Sequence, residues 1–543
     1  MKKWGLFAGA IFYLFVSDFA QVWLIAAESA TTPPGRYLVK IAETPGAVVP
    51  MDVLLSLVAE EIHAEGDGAK VVRKFKQSSL LLVEGTPEQV EELLTRQPFV
   101  EYFEKEIYWK VDYAGSTSEL PSSQNEAPWL KDVLGLDAAV VDPEIDAGSA
   151  SPVLVAVVDT GLNVNHPFFG KALSRNAREA TAGPGVDSDG NGYKNDVVGA
   201  NVYTKDGNVA ETSTDHGTHV AGLVKIIRDQ AIVQNPEARA VQLLPVKFIN
   251  SSGMGSTSAA IAALEYAVSR GAKVINASWG AKGTAAFSQA LYDTLLRAYS
   301  NNIFIAVAAG NADGGVQNNN DVIPTFPANY DIPGLMSIAS VTPAYRSSGI
   351  FFGLTLSDFS NYGPQSVDIA APGSFLDASG DASGVLSVNA NATGWGDAYF
   401  KKRGTSMATP VLAGVAAVVR AINPGLTAYE VKELLLRTAK RDGALASIKS
   451  SAVVDAQAAF NEARIAQSQG LLPGANGVTR GSSGDEGSRI TRKAFGGCGL
   501  VSAIGNHDDA EGPFGGNSLG LFAELALGMA AVRKWRTSRK SVV

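Results

Sequence analysis

An α/β fold, with a doubly wound and mainly parallel sheet flanked by helices and a small ferredoxin-like α+β unit ahead of it, is predicted for this 543-residue chain by three features. From Pro152 onward, apolar strands alternate with helical segments at the spacing of βα units. The segment "PVLVAVVDTG" is a nearly unbroken apolar run, as expected of a central parallel strand buried on both faces. Before it, Arg36 to Val111 reads β-α-β-β-α-β, the split order of ferredoxin-like units. With 46% hydrophobic and 18% charged residues, the chain has enough apolar surface for a large core and room for two or more domains. A net charge of −9 argues against nucleic acid as a partner, because such affinity needs clustered Lys and Arg. A single cysteine, Cys498, excludes an internal disulfide framework.

Taken in order, residues 1–29 carry Lys2 and Lys3 ahead of an apolar run, with Ala27 and Ser29 at the end, which reads as a secretory signal peptide. Asp18 leaves an apolar stretch from Trp4 to Val16, shorter than a bilayer requires; an uncleaved anchor is the alternative. Residues 30–117 form the small unit with its core at 36–111. "RYLVKIA" alternates as a strand, Met51 to Ile62 has helical periodicity, and "KVVRKFK" and "SLLLVEG" are strands. "TPEQVEELLTR" opens with a cap and a first-turn proline, and "VEYFEKEIYWKV" is expected as the closing strand. Asp112 to Pro128 is polar and reads as a cleavable linker.

The main body is expected over 118–466. Its strands and helices run through "DHGTHVAGLVKII", "ARAVQLLPVKFI", "STSAAIAALEYAVSRG", "AKVINASWG" and "NIFIAVAAGN". In doubly wound sheets functional groups collect at the carboxyl ends of strands, and Asp159, Ser278 and Asn311 stand at such ends. Ser406 lies at the start of a predicted helix over Met407 to Ile422, where unpaired N–H groups and the helix dipole converge. A lone serine there is an ordinary cap; its company, His216, Asp159 and Asn311, suggests chemistry instead. Pro410 reads as first-turn punctuation.

"VAVVDTGLNVNHP", "DHGTHVAG" and "GTSMATPVLAGV" resemble the three catalytic motifs of the subtilisin-like serine proteases, in that family's chain order of Asp, His and Ser. "NASWG" and "AAGN" are similar to its two substrate-pocket strands. The resemblance runs from about Pro128 to Phe460. It implies Ser406 as nucleophile, His216 as general base and then acid, and Asp159 as the carboxylate that orients the imidazole. His219 would then be a core residue. Asn311 would donate to the oxyanion with the Ser406 backbone N–H. Ser278, Trp279 and Gly280 with Ala308, Ala309 and Gly310 would wall the primary specificity pocket, and Gly253, Met254 and Gly255 would form an edge strand for extended substrate. Small walls suggest large apolar or aromatic residues as the preference.

The implied activity is that of a secreted serine endopeptidase working through an acyl-enzyme, with protein or peptide substrates. The unit at 30–117 would be a propeptide acting as intramolecular inhibitor. A catalytically silent binding scaffold of the same fold is the alternative. "DSDGNGYKND" places Asp187, Asp189 and Asn191 at alternate positions before Gly192, with Asp196 beyond, like the first half of a calcium loop. Val198 stands where a calcium loop would close with glutamate, and an ion-free acidic turn is equally compatible with the pattern. Similar insertions serve as calcium sites in secreted members of the family.

Residues 467–543 read as a flexible, glycine-rich linker followed by a tail. Cys498, the apolar run Leu519 to Val532 and the basic residues to Lys540 resemble, in that order, bacterial C-terminal sorting signals. This implies secretion or cell-envelope association in a bacterium, with transient membrane contact by the tail. A disordered end with one stray thiol is the alternative.

Overall fold

The computed structural model describes residues 35–469, except 43–49, 65–67, 97–98, 112–114, 118–127, 137–150, 182, 212–214, 346–349, 377–381 and 391–398. The expected signal peptide, the glycine-rich linker and the tail with Cys498 lie outside the described residues.

Strands β1 (Gly35–Ile41), β2 (Lys70–Phe75), β3 (Leu80–Gly85) and β4 (Val100–Lys105), with helices α1 (Met51–Ala64) and α2 (Pro87–Arg96), build the N-terminal unit. Its sheet order is β2-β3-β1-β4, all antiparallel, as the split βαβ pattern requires. Under its helices lies a core of Tyr37, Val39, Ile41, Leu81 and Val83 with Leu55, Val58 and Val90. The alternate residues Leu38, Leu80, Leu82 and Phe75 are also buried, in the core of the main body. The sheet is therefore covered on both faces, which is why "SLLLV" is an apolar run and not an alternation.

"VEYFEKEIYWKV" is two strands, not one. β4 stays in the N-terminal sheet; β5 (Tyr108–Val111) leaves it and pairs with the main body. The break is held from the other side. Helix α4 (Thr257–Ser269) presents its first N–H groups there, Thr257 N donating to Ile107 O (2.8 Å) and Ser258 N to the Glu106 carboxylate (3.1 Å). Glu104 does the same for helix α5 (Gln289–Ser300), accepting from Gln289 N at 2.8 Å and Ser288 Oγ at 2.5 Å. Helix N-termini carry unpaired donors and a partial positive charge, so two carboxylates fit there.

The main sheet has ten strands and is parallel except at its margins. At its centre β7 (Val153–Asp159) lies between β9 (Val241–Lys247) and β11 (Val274–Ala277), with β8 (Ala200–Asn201) beyond β9. From β11 the order continues through β13 (Phe304–Ala308), Leu335–Tyr345 and Ile369–Pro372. The chain steps from β7 to β9 on one side and then returns past β7 to β11, so the winding reverses at β7 and opens a crevice at its carboxyl end. Every residue of β7 is buried, as the apolar run predicts.

Two cores cover the sheet. One packs helix α3 (His216–Ile232) and helix α6 (Thr405–Ile422) against one face. The other packs α4 and α5 against the opposite face. Helix α6 has the length and apolarity of a membrane span, but all 18 of its residues are buried inside the protein.

Candidate active site

Three element ends meet at the crevice. Asp159 closes β7, His216 opens α3, and Ser406 is the second residue of α6. Asp159 Oδ1 lies 2.8 Å from His216 Nδ1 and also accepts from Thr160 N at 2.7 Å, with both side chains fully buried. A carboxylate on Nδ1 fixes the ring tautomer and leaves Nε2 as the basic nitrogen. His219 does not share this role. It is fully buried against the Phe400 ring (5.0 Å), and burial holds its pKa well below the usual histidine value.

Pro410 is the sixth residue of α6, inside the helix and not in its first turn. Its missing N–H would otherwise bond the carbonyl four residues back, which is Ser406 O. That carbonyl instead accepts Ser278 Oγ at 2.9 Å, and Asn276 Nδ2 donates to the same Ser278 Oγ at 2.9 Å. The Ser406 hydroxyl is turned onto Ser278 O (3.0 Å). Asn311 follows β13 at the turn Gly310, and its Oδ1 accepts from Thr405 N at 2.9 Å. This fixes the orientation of the amide, and both Asn311 and Ser406 line the cavity beside them.

The adjoining cavity is lined by Gly280, Ala308 and Gly310 together with Ala281, Thr325 and Asn361. Thr325, in a two-residue strand paired with the strand Trp279–Lys282, and Asn361 come from segments far along the chain and carried no local sequence signal. Gly310 has φ +97°, and a Cβ there would stand 2.6 Å from Asn361 Nδ2, so glycine is required. Ala309 turns into the core and Ser278 is buried beneath Ser406, so neither lines the cavity. Trp279 does line the cavity, although its indole points inward, donating to Val158 O (2.9 Å) and packing on Phe248.

Gly253, Met254 and Gly255 do form an edge, and it is occupied. β5 lies antiparallel between β10 (Met254–Ser256) and β12 (Trp279–Lys282), pairing Trp109 with Gly255 and Lys110 with both Met254 and Gly280. Val111 N donates to Gly253 O at 3.2 Å. Trp109 is fully buried; its Nε1 donates to Thr257 Oγ1 (3.1 Å) and its ring meets Trp279 edge-on at 5.7 Å. Three residues after β5, β6 (Gly115–Thr117) pairs with Tyr399–Arg403, the strand that leads into Ser406.

The acidic loop folds around Asp189 and Asp196, whose carboxylates converge with Glu179, with ligand atoms within 4.8 Å of one another. Glu179 lies outside the loop and was not legible as a partner. Asn191 Nδ2 reaches Asp196 at 2.9 Å and Asp189 at 3.2 Å. Asp187 differs: its carboxylate accepts from Gly190 N and Gly192 N (2.8 Å each) and shapes the turn. Burial raises the Asp196 pKa above its ordinary value, against the lowering effect of Tyr266, Asn191 and Arg270.

A parallel α/β sheet with Asp, His and Ser in this chain order, gathered where the winding reverses, defines the subtilisin-like class of serine protease. Residues 150–470 match the model of the subtilase family of peptidases, and the chain belongs to that family. It is 28% identical over 310 residues to Subtilisin-like protease 1 of Plasmodium vivax, a match spanning 55% of this chain and 46% of that protein. It is 27% identical over 438 residues to Subtilisin J of Geobacillus stearothermophilus, spanning 81% and 93%. Among solved structures, fervidolysin from Fervidobacterium pennivorans, described as a keratinolytic enzyme related to subtilisin, superposes with a TM-score of 0.52 at 20% identity. That superposition covers 83% of this chain and 63% of fervidolysin.

Proposed function

We propose that this chain is a secreted bacterial serine endopeptidase, made as a zymogen whose N-terminal unit occupies its own substrate cleft. The observation that carries the reading is the buried Asp159–His216 pair at 2.8 Å, with β5 seated as a substrate-like strand between β10 and β12. In the reaction, His216 Nε2 takes the Ser406 proton as Oγ attacks the scissile carbonyl, then returns it to the leaving amine. Water repeats the sequence on the acyl-enzyme. Asp159 holds the tautomer and stabilises the imidazolium. Asn311 Nδ2 and the Ser406 N–H receive the developing oxyanion.

Because β5 and β6 flank a stretch of three residues and β6 pairs beside Ser406, the cut that frees the N-terminal unit falls between Val111 and Gly115. The pocket preference for large apolar or aromatic side chains is tempered by Thr325 and Asn361, which add polar groups to its lining. Calcium suits the second cluster: Glu179, Asp189 and Asp196 are hard oxygen donors with Asn191 beside them. Such an ion would tie the acidic loop to the body of the protein and take no part in peptide hydrolysis. Labelling with an organofluorophosphonate, read by mass spectrometry, tests the activity. The expected adduct is on Ser406 and does not form when the protein is heat-denatured before labelling; a folded, processed chain without an adduct overturns the reading.

A further inference from the structure

Glu211 sits between the two elements that carry the Asp159–His216 pair. One carboxylate oxygen accepts from Thr160 Oγ1, on the residue after Asp159, and from Gly217 N (3.2 Å), on the residue after His216. The other accepts from Thr218 N (2.8 Å) and Thr218 Oγ1 (2.5 Å) in the first turn of α3. Thr160 Oγ1 also accepts from Gly217 N at 2.8 Å, which closes the bridge. The approach is tight enough to demand glycine, since a Cβ on residue 217 would stand 2.2 Å from Gly161 O.

We propose that Glu211 is a positioning residue for peptide hydrolysis, a carboxylate staple that joins the end of β7 to the start of α3 and thereby holds the Asp159–His216 hydrogen bond in register. This rests on the peptidase reading above. The staple acts in two ways. It restrains the angle between the β7 terminus and the imidazole, because both neighbouring residues share one oxygen. It also places a negative charge on the N-terminus of the helix that begins with His216, opposing the positive helix end that disfavours an imidazolium. Among the described residues, the other charged groups at this corner are Asp159, Lys247 (whose Nζ donates to Thr160 O) and the Asp215–Lys402 pair, with His219, which burial holds neutral, one turn along α3.

Glu211→Gln keeps the shape of the side chain but sets an NH2 group against donors at one of the two oxygens. In the active enzyme, kcat is expected to fall about 10- to 100-fold, the scale of a small misalignment at the reacting groups, with KM changed by less than about twofold. In a Ser406→Ala background labelled with 15N-histidine, the five imidazoles are followed by NMR. There the His216 midpoint is expected to drop by about 0.2–0.7 pH units, the size of a helix-end charge interaction. The acid limb of kcat/KM should move to lower pH by the same amount. Should Glu211→Gln not fold, Thr160→Val removes the Thr160 Oγ1 links to Glu211 and Gly217 N but keeps the carboxylate on the helix end, so kcat is expected to fall while the His216 midpoint stays; an unchanged kcat in that variant overturns the staple. A His216 midpoint unchanged in folded Glu211→Gln overturns the proposal, whatever happens to kcat. If the unmutated chain proves inactive on peptides, the peptidase reading fails, and the NMR titration still decides the role of Glu211.

Discussion

Ser406 and Asn311 owe their positions to bonds that involve no substrate: Ser278 Oγ on the Ser406 carbonyl, and Thr405 N on the Asn311 amide oxygen. Replacing the Ser406 hydroxyl should therefore leave the fold intact and remove only chemistry. Ser406→Ala is expected to abolish proteolysis and to accumulate the uncut chain, and His216→Ala should lose about as much, because such groups act as a unit. Gel analysis from a protease-deficient host checks this; normal maturation of Ser406→Ala would rule out self-processing. Asn311→Ala is expected to cut kcat by about 100- to 1,000-fold, the loss known for the oxyanion-hole asparagine of subtilisin itself. A change in KM alone would assign Asn311 to binding instead.

At the scale of the element, the acidic loop and β5 make separate predictions. Asp196 is protonated more readily in the folded protein than in the unfolded chain, because burial raises its pKa. Without an ion its contribution is fully present below the ordinary value of 3.8 and is lost as pH rises through the raised value, so calcium has most to offset near neutrality. The calcium-dependent rise in Tm should be large at pH 7–8 and shrink as pH falls toward that raised value. One hundred times the dissociation constant of ion corresponds to about 2.7 kcal/mol. Asp189→Asn should remove the rise while Asp187→Asn, which faces its own turn, keeps most of it. Scanning calorimetry with and without chelator decides; equal loss in both variants would put the ion elsewhere. For β5, the buried Trp109 is the anchor. Residues 35–111 added in trans should inhibit the processed enzyme, and Trp109→Ala should weaken that inhibition by at least about 100-fold, the binding equivalent of emptying a large aromatic site.

Over the whole molecule, one chain supplies both the cleft and the strand that fills it. The pairing of β5 with β12 and of β6 with the strand that leads into Ser406 predicts a processed N-terminus between residues 112 and 115, upstream of the boundary at 118 that composition suggests. N-terminal sequencing of the mature enzyme checks this; a start at 118 or later would mean a second cut. Intact mass of the same sample reports whether Leu519 to Val543 is retained, which tests the sorting-signal reading of the tail.

Much of this was legible along the chain because the signals are local. An apolar run such as "VLVAVV" has to be buried on both faces, βα spacing dictates a parallel sheet, and the motifs around Asp159, His216 and Ser406 stand each in one short segment. The β-α-β-β-α-β order was equally readable. What the tertiary structure decided are the meetings between segments far apart in sequence. Glu179 joins a loop that begins eight residues later, Thr325 and Asn361 enter a cavity walled by Gly280 and Gly310, and Glu211 bridges two strand and helix ends. "VEYFEKEIYWKV" has the pattern of one strand, yet it breaks after Lys105 because donors on α4, some 150 residues away, compete for Glu106 and Ile107. Periodicity records which residues are buried; only the folded chain determines which partners bury them.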